Sequence, residues 1–247
     1  MEIIQSTANK TIKNLVKLHQ KKYRDIENKY LIEGEHLIQE AKEAGVLKAV
    51  YSLSSYDVGV KNVLCSQEVL NKLSQQNSNA KLIGVCKKDE TPTFPCDHIL
   101  ILNDIQDPGN LGTLLRSSYS FGFQKVILSE NCVDLYNSKV IQSSQGALFH
   151  LQIQKRNIEQ WIQEAKEENY TVYATALHDH SKYLNEICFQ KKTALILGNE
   201  GCGLPLSLIE QCHECIKIEM AAFESLNVSI AGSICMYKAF IQQDQTE

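Results

Sequence analysis

Three polar loops interrupt otherwise apolar stretches, and each holds residues able to do chemistry. The first is DPGNLGTLLRSS, residues 107–118. Pro108 and Gly109 make a turn, Asn110 can cap the helix that follows, and Gly112 lets another group approach the backbone. Arg116 is the odd member, lying beside Leu111, Leu114 and Leu115 on a helix that reads as buried. A buried guanidinium needs an anionic partner. A carboxylate of the chain or an anionic ligand such as a phosphate would serve, and this stretch alone leaves both open.

The second loop, ALILGNEGCGLP at 194–205, sets Gly198, Gly201 and Gly203 between an apolar strand and a short helix. The spacing from Gly198 to Gly203 is that of a phosphate loop. Leu204 and Pro205, however, stand where lysine and serine or threonine are required, and no G-x-G-x-x-G pattern is present. Glu200 would repel a triphosphate, so a ligand with a cationic or neutral centre fits better; Glu200 could equally be the carboxylate that holds Arg116. The third loop lies in IEMAAFESLNVSIAG, residues 218–232. Ser225 reads as the N-cap of a nearly all-apolar helix, with Asn227 and Ser229 in its first turns, and capping alone would explain them. Two further clusters point elsewhere. CHEC, Cys212 to Cys215, lacks the second cysteine pair of a zinc site, and HDH, His178 to His180, reads as a polar loop, so no metal is expected.

The elements that must position these loops alternate along the chain. In the C-terminal part HILILNDI, KVILSE, LQIQK, TVYATAL, TALILG and ECIKIEM read as strands. Helices fall near 110–121, 136–146, 158–169, 205–211 and 225–242. Apolar strands alternating with helices indicate a mostly parallel sheet covered on both faces. Each of the three loops follows a strand, the end at which such sheets bind ligands. The N-terminal part is smaller but also alternates. NKTIKNLVKLHQKKYRDIEN reads as one basic helix, KYLIEG as a strand, EHLIQEAKEAG as a helix stopped by Gly45, and KAVYSLS, KNVLCS and AKLIGVCKK as strands around the helix QEVLNKLSQ. Between the parts, DETPTFPCD carries two prolines and mixed charge. The expected division is residues 1–90, a linker at 91–97, and residues 98–247.

Charge separates the two parts. The net charge of −4 argues against indiscriminate nucleic-acid binding, yet residues 1–95 hold 14 basic and 11 acidic side chains while 96–247 hold 11 and 18. The basic side chains are densest at Lys10, Lys13, Lys17, Lys21, Lys22, Arg24 and Lys29, a run that is either a solvated helix face or a nucleic-acid contact. Nine cysteines without framework spacing, and no basic start followed by an apolar stretch, lead us to expect reduced thiols in a cytoplasmic protein. The least charged segment, Ser225 to Gln243, is short and polar for a membrane span and reads as a buried helix.

Together the three loops resemble the three ordered motifs of the SpoU (TrmH-type) RNA ribose 2′-O-methyltransferases of the SPOUT superfamily. DPGNLGTLLRSS is similar to the first, LGNEGCGL to the second and ESLNVSIA to the third, over roughly residues 98–242. Residues 1–90, with YLIEGEHLIQEA, resemble the family's accessory domain, a small ribosomal-protein-like α/β module that binds substrate RNA. The resemblance implies an α/β fold whose SPOUT-type parallel sheet contains a trefoil knot. It also implies S-adenosylmethionine held by the second and third motifs, and a homodimer with composite active sites acting on rRNA in preference to tRNA. Carried over by position, Asn110, Arg116, Glu200, Ser225 and Asn227 are the catalytic set. Gly198, Asn199, Gly201, Ile218, Met220 and Leu226 would hold the cofactor, and Lys10, Lys13, Lys17, Lys21, Lys22 and Arg24 would meet RNA. In the family the first-motif arginine is proposed as general base; gripping a phosphate and polarising the hydroxyl suits a guanidinium better. Glu200 would then fix Arg116. The chain departs from the family pattern in four respects. Glu219 follows Ile218 where proline is usual, Ala222 at best stands for the glycine that often comes soon after, the loop before Ser225 is one residue short, and Gln142 stands near where a basic residue is common. Two other classes remain open, a non-catalytic RNA-binding protein of the same fold and a small-molecule nucleotide enzyme.

Overall fold

The computed structural model describes residues 2–76, 79–88, 93–178, 180–222 and 225–243. Residues 91 and 92 of the expected linker, and Asp179 of HDH, lie outside the described residues. In chain order the N-terminal elements are β1 (Glu2–Ile4), α1 (Lys10–Lys17), α2 (Lys21–Glu27), β2 (Lys29–Glu33), α3 (Glu35–Glu43), β3 (Leu47–Ser52), β4 (Lys61–Cys65), α4 (Gln67–Leu73) and β5 (Leu82–Lys87). They continue with β6 (His98–Leu102), α5 (Pro108–Ser120), β7 (Lys125–Leu128), α6 (Ser138–Ser144), β8 (Gln152–Lys155), α7 (Ile158–Glu167), β9 (Thr171–Thr175), β10 (Lys182–Tyr183), β11 (Thr193–Leu197), α8 (Leu206–Ile209), β12 (Glu214–Lys217) and α9 (Val228–Gln243). The chain forms two compact units, Met1–Glu90 with Asp134–Phe149, and Thr91–Val133 with His150–Glu247.

The first unit is built on a five-stranded mixed sheet in the order β1-β4-β3-β5-β2. One face buries Ile4, Ile12, Tyr51, Val63, Val69, Leu70, Leu73 and Ile83 together. The expected single basic helix is two helices, broken at Leu18–Gln20. The reason is Arg24. Its guanidinium turns inward, donating to the carbonyls of Leu18 (2.8 Å) and His19 (2.9 Å), acceptors just past the end of α1 that have no partner within the helix. Its other terminal nitrogen pairs with Asp134. Arg24 is 5% exposed, so it is a structural ion pair and not an RNA contact. Lys10, Lys13, Lys17, Lys21 and Lys22 are exposed, with Lys21 paired to Asp25 at 3.0 Å.

The second unit is a seven-stranded sheet in the order β10-β12-β9-β11-β6-β7-β8, parallel at every pairing. β6 and β11 are central and buried along their whole length, as their unbroken apolar runs require. β9, β11 and β12 run in the same direction, so the loops after β6, β11 and β12 emerge at one end of the sheet. Helix α9 lies against α5 at close range. A Cβ on Gly232 would fall 2.6 Å from Leu114 Cδ2 and 2.5 Å from Leu197 Cδ1, so any larger residue there would have to push those two leucine side chains aside. Ser117 and Ser233 hydroxyls, 2.7 Å apart, bridge the same pair of helices.

Candidate active site

Each of the three loops is shaped by its own sequence. Asp107, not Asn110, caps α5: its side chain accepts from Asn110 N at 2.8 Å, and Pro108 occupies the first helical turn, where no donor is lost. In the second loop Asn199 closes a tight turn, pairing both ways with the Gly203 backbone and accepting from the N–H groups of Gly201 and Cys202. The turn folds back so closely that a Cβ on Gly198 would stand 2.4 Å from the Gly203 carbonyl carbon. In the third loop Asn227, not Ser225, caps α9, its Oδ1 accepting from Ser229 N (2.9 Å), Ser229 Oγ (2.6 Å) and Ile230 N (3.3 Å). Ser225 is exposed just before it.

The loops are then joined to one another. The Glu200 carboxylate accepts from Gln106 N (3.1 Å), Asp107 N (3.0 Å) and Asn110 Nδ2 (3.1 Å). Asn110 Oδ1 in turn accepts from Asn227 Nδ2 at 2.9 Å. Glu200, Asn110 and Asn227 thus form a relay in which each amide has one defined orientation. Burial pushes the Glu200 carboxyl upward, but donation from Asn110 and from the Gln106, Glu200 and Asp107 N–H groups outweighs it and holds the group below its ordinary range.

The relay lies in the lining of a cavity of about 890 Å³. Its apolar walls come from Leu197, Leu204, Ile209, Ile216, Ile218 and Met220, with Leu177, Leu206 and Leu226 partly open to solvent. Of the positions expected from sequence, Asn110, Glu200, Ser225, Asn227, Gly198, Asn199, Gly201, Ile218, Met220 and Leu226 all line this space. Lining residues that sequence reasoning passed over are Thr175, Ala176 and Leu177, at the end of β9, and Lys217, the end of β12. Strand ends at the ligand-binding edge of a parallel sheet were the available signal.

Arg116 is elsewhere. Its side chain is exposed, it does not line the cavity, and it forms no ion pair among the described residues. The buried-pair reading is therefore wrong, and Glu200 holds Asn110 and the 106–107 backbone instead. Helix geometry explains the separation: six residues place Arg116 about 9 Å along α5 and about 120° around it from Asn110. Arg116 shares the outward face with Thr113, Tyr119 and Ser120.

Size, wall chemistry and charge make the cavity suitable for a nucleoside cofactor carrying a cationic centre. Ligand sites of this size hold molecules of that class, the walls are mostly aliphatic, and ionised Glu200 lies at the rim. Among the described residues no group of three or more His, Cys, Asp or Glu side chains could hold a metal, and no helix is long and apolar enough to cross a membrane.

Comparison with known proteins agrees with this geometry. Residues 97–237 match the SpoU rRNA Methylase family model, and residues 9–84 match the MRM3-like substrate binding domain. The chain is 34% identical to the 23S rRNA (guanosine(2553)-2′-O)-methyltransferase RlmP of Bacillus subtilis, over 96% of this chain and 98% of that protein. It is 30% identical to the 23S rRNA (guanosine-2′-O-)-methyltransferase RlmB of Coxiella burnetii, over 76% and 79%. Among solved structures it superposes on an RNA 2′-O ribose methyltransferase with a TM-score of 0.86, 30% identity and coverage of 98% and 99%. It also superposes on an AdoMet-bound rRNA methyltransferase from Sinorhizobium meliloti with a TM-score of 0.87, 25% identity and coverage of 96% and 97%. With the motifs in order, their loops gathered on one cavity and the match spanning the sheet, the chain belongs to the SpoU rRNA methylase family.

Proposed function

We propose that this protein methylates a ribose 2′-hydroxyl of ribosomal RNA, with S-adenosylmethionine bound in the cavity and a second copy of the chain completing the site. The observation that carries this reading is the Glu200–Asn110–Asn227 relay, which fastens all three loops around one nucleoside-sized space. The Bacillus subtilis and Coxiella burnetii relatives both act on 23S rRNA, which favours rRNA over tRNA. S-adenosylmethionine supplies an electrophilic methyl group when bound.

The chain's residues divide the remaining work. Gly198, Asn199 and Gly201 offer backbone to the cofactor, while Ile218, Met220 and Leu226 offer apolar wall. Both ends of the Asn110 amide are engaged, so Asn110 positions the loops and does not exchange protons. Asn227 fixes the start of α9, and Ser225, exposed at the cavity, is free to meet the ribose. Arg116 is an exposed cation, and guanidinium almost never deprotonates in proteins. Its task is to grip an RNA phosphate and stabilise negative charge developing on the attacking oxygen.

The outward face of α9 supports the reading of a second copy. That face carries Ile230, Ile234, Tyr237 and Phe240, all exposed, and the Phe121 ring lies tilted beside the last two. Such a face on α5 and α9 suits an isologous dimer. Arg116 points from the same helix pair, so a composite site would use it across the interface. We further propose that the family's knot lies in the second unit, that residues 1–90 bind RNA through Lys10, Lys13, Lys17, Lys21 and Lys22, and that the protein works in the cytoplasm, where its nine unpaired cysteines stay reduced. Ribose methylation mapped in RNA from cells with and without the gene tests the proposal. A single rRNA nucleotide should lose its 2′-O-methyl group; unchanged rRNA with a loss in tRNA would redirect the substrate, and no loss in any RNA would leave a non-catalytic binder.

A further inference from the structure

We infer that residues 181–186 are a strap that sets the position of the cofactor-binding segment 217–220, and that Glu219 is the positioning residue fastening it. The inference rests on the reading of the cavity as the S-adenosylmethionine site. β12 ends at Lys217 and the next regular element begins at Val228, so residues 218–222 must hold their place at the cavity without a strand or helix of their own. Lys217, Ile218 and Met220 nevertheless form one wall of the cavity. Among the described residues, the side-chain hydrogen bond made by 218–222 is that of Glu219, whose Oε1 accepts from Asn185 N at 3.0 Å. A carboxylate on a backbone N–H is a charge-assisted bond, stronger than a neutral one.

The strap itself is tied to two neighbouring elements. Along β12, Lys182 and Tyr183 pair with Ile216 and Lys217 in parallel register. Lys182 reaches Glu214 at 2.8 Å, and the Lys217 ammonium stands 4.5 Å from the centre of the Tyr183 ring. Just before the ladder Ser181 is buried; its Oγ donates to Ala176 O at 2.9 Å and accepts from His178 N at 3.1 Å. Ala176, Leu177 and His178 form the adjoining wall of the cavity. The strap therefore joins two walls of the same space. Glu219 is the fastening placed beyond the end of the strand ladder, which stops at Lys217.

The test compares full-length Glu219→Ala and Glu219→Gln with the wild type. Glutamine keeps an acceptor oxygen for Asn185 N and alanine removes it. Titration calorimetry with S-adenosylhomocysteine should show affinity falling about three- to fivefold in the alanine variant, the scale of a solvent-exposed contact to a charged group, with most of it restored in the glutamine variant. KM for the cofactor should rise with kcat little changed, and both variants should unfold at the wild-type temperature. Wild-type affinity in Glu219→Ala, equal losses in both variants, or a loss that tracks a lowered unfolding temperature would overturn the inference. Amide exchange at 218–222 in the ligand-free protein separates the two readings. Faster exchange in Glu219→Ala is expected and equal rates overturn the strap, whereas a wild type that does not bind S-adenosylhomocysteine would overturn the cofactor reading instead.

Discussion

Replacing Asn110 by aspartate changes one atom of the relay and reverses its logic. In the wild type Nδ2 donates to Glu200 at 3.1 Å and Oδ1 accepts from Asn227 at 2.9 Å. Asn110→Asp keeps the acceptor for Asn227 but sets a second carboxylate against Glu200. Two unit charges at that separation repel by roughly 1 kcal/mol in bulk water and about 5 kcal/mol at an effective dielectric constant of 20. Because Glu200 is exposed as a residue, solvent screening holds the expected cost near the lower limit, about 1–2 kcal/mol. That corresponds to a roughly five- to thirtyfold loss in whatever property depends on the closed loops. Asn110→Ala removes the donor without adding charge and should lose less. The assay is S-adenosylhomocysteine affinity measured from pH 5 to 8. The sign follows from Glu200, whose carboxyl sits below its ordinary range in the wild type. In Asn110→Asp the donor is gone and a like charge is added, so the pair must take up a proton at higher pH, and affinity should recover as pH falls. If Asn110→Asp binds as tightly as wild type at pH 8, or more tightly than Asn110→Ala, the relay does not hold the site together.

Three further outcomes follow. Arg24→Ala should lower stability by about 3–5 kcal/mol, the cost of breaking a buried pair, because Asp134 and the Leu18 and His19 carbonyls all lose their donor. Urea unfolding measures it, and a loss below about 1 kcal/mol, the scale of an exposed pair, would return Arg24 to the surface run. Reversing charge at Lys10, Lys13 and Lys17, all exposed, should weaken RNA binding and flatten its dependence on salt, by about one unit of slope for each phosphate no longer neutralised. Cofactor affinity should stay intact, and an unchanged slope would refute a role for this run in RNA binding. His98 is buried against Phe123 and Gln243, and burial lowers its pKa despite Asp97. Its folded form is held neutral, so that stability is present above about pH 6.5 and is lost as pH falls toward the depressed folded value. Urea unfolding at pH 7.5 and 5.5 should show an acid loss that His98→Phe reduces, and an equal loss in the variant would contradict it.

The strands that carry the loops were legible because buried parallel strands are continuous apolar runs, as in HILIL and TALIL. The helix starts were less so. Pro108 announces a first helical turn, which makes Asp107 the cap, and the same logic of one polar residue before the first turn favours Asn227 over Ser225. The outward direction of Arg116 was in fact present in the spacing. Leu111, Leu114, Leu115 and Ser118 form the buried stripe at i, i+3, i+4 and i+7, and Arg116 falls off it; three leucines nearby in sequence are not neighbours in space. Arg24 could not be read, since its partner Asp134 is 110 residues away and nothing local marks the pair. The strap was equally hidden, because β10 is two residues long and gives no periodicity.

Which atom receives the methyl group decides the mechanism. Transfer of labelled methyl from S-adenosylmethionine to ribosomal RNA, followed by alkaline hydrolysis of the product, reads this directly. A 2′-O-methyl group blocks cleavage at its own nucleotide, so wild-type protein should leave label in alkali-resistant dinucleotides. Arg116→Ala should lose transfer by orders of magnitude, and Arg116→Lys, which keeps the charge but not the fork, should lose nearly as much. Both variants should remain folded and able to bind S-adenosylhomocysteine, since Arg116 does not line the cavity. Label in mononucleotides would place the methyl on a base, and near-normal transfer by Arg116→Ala would remove the arginine from the reaction; either result contradicts the mechanism.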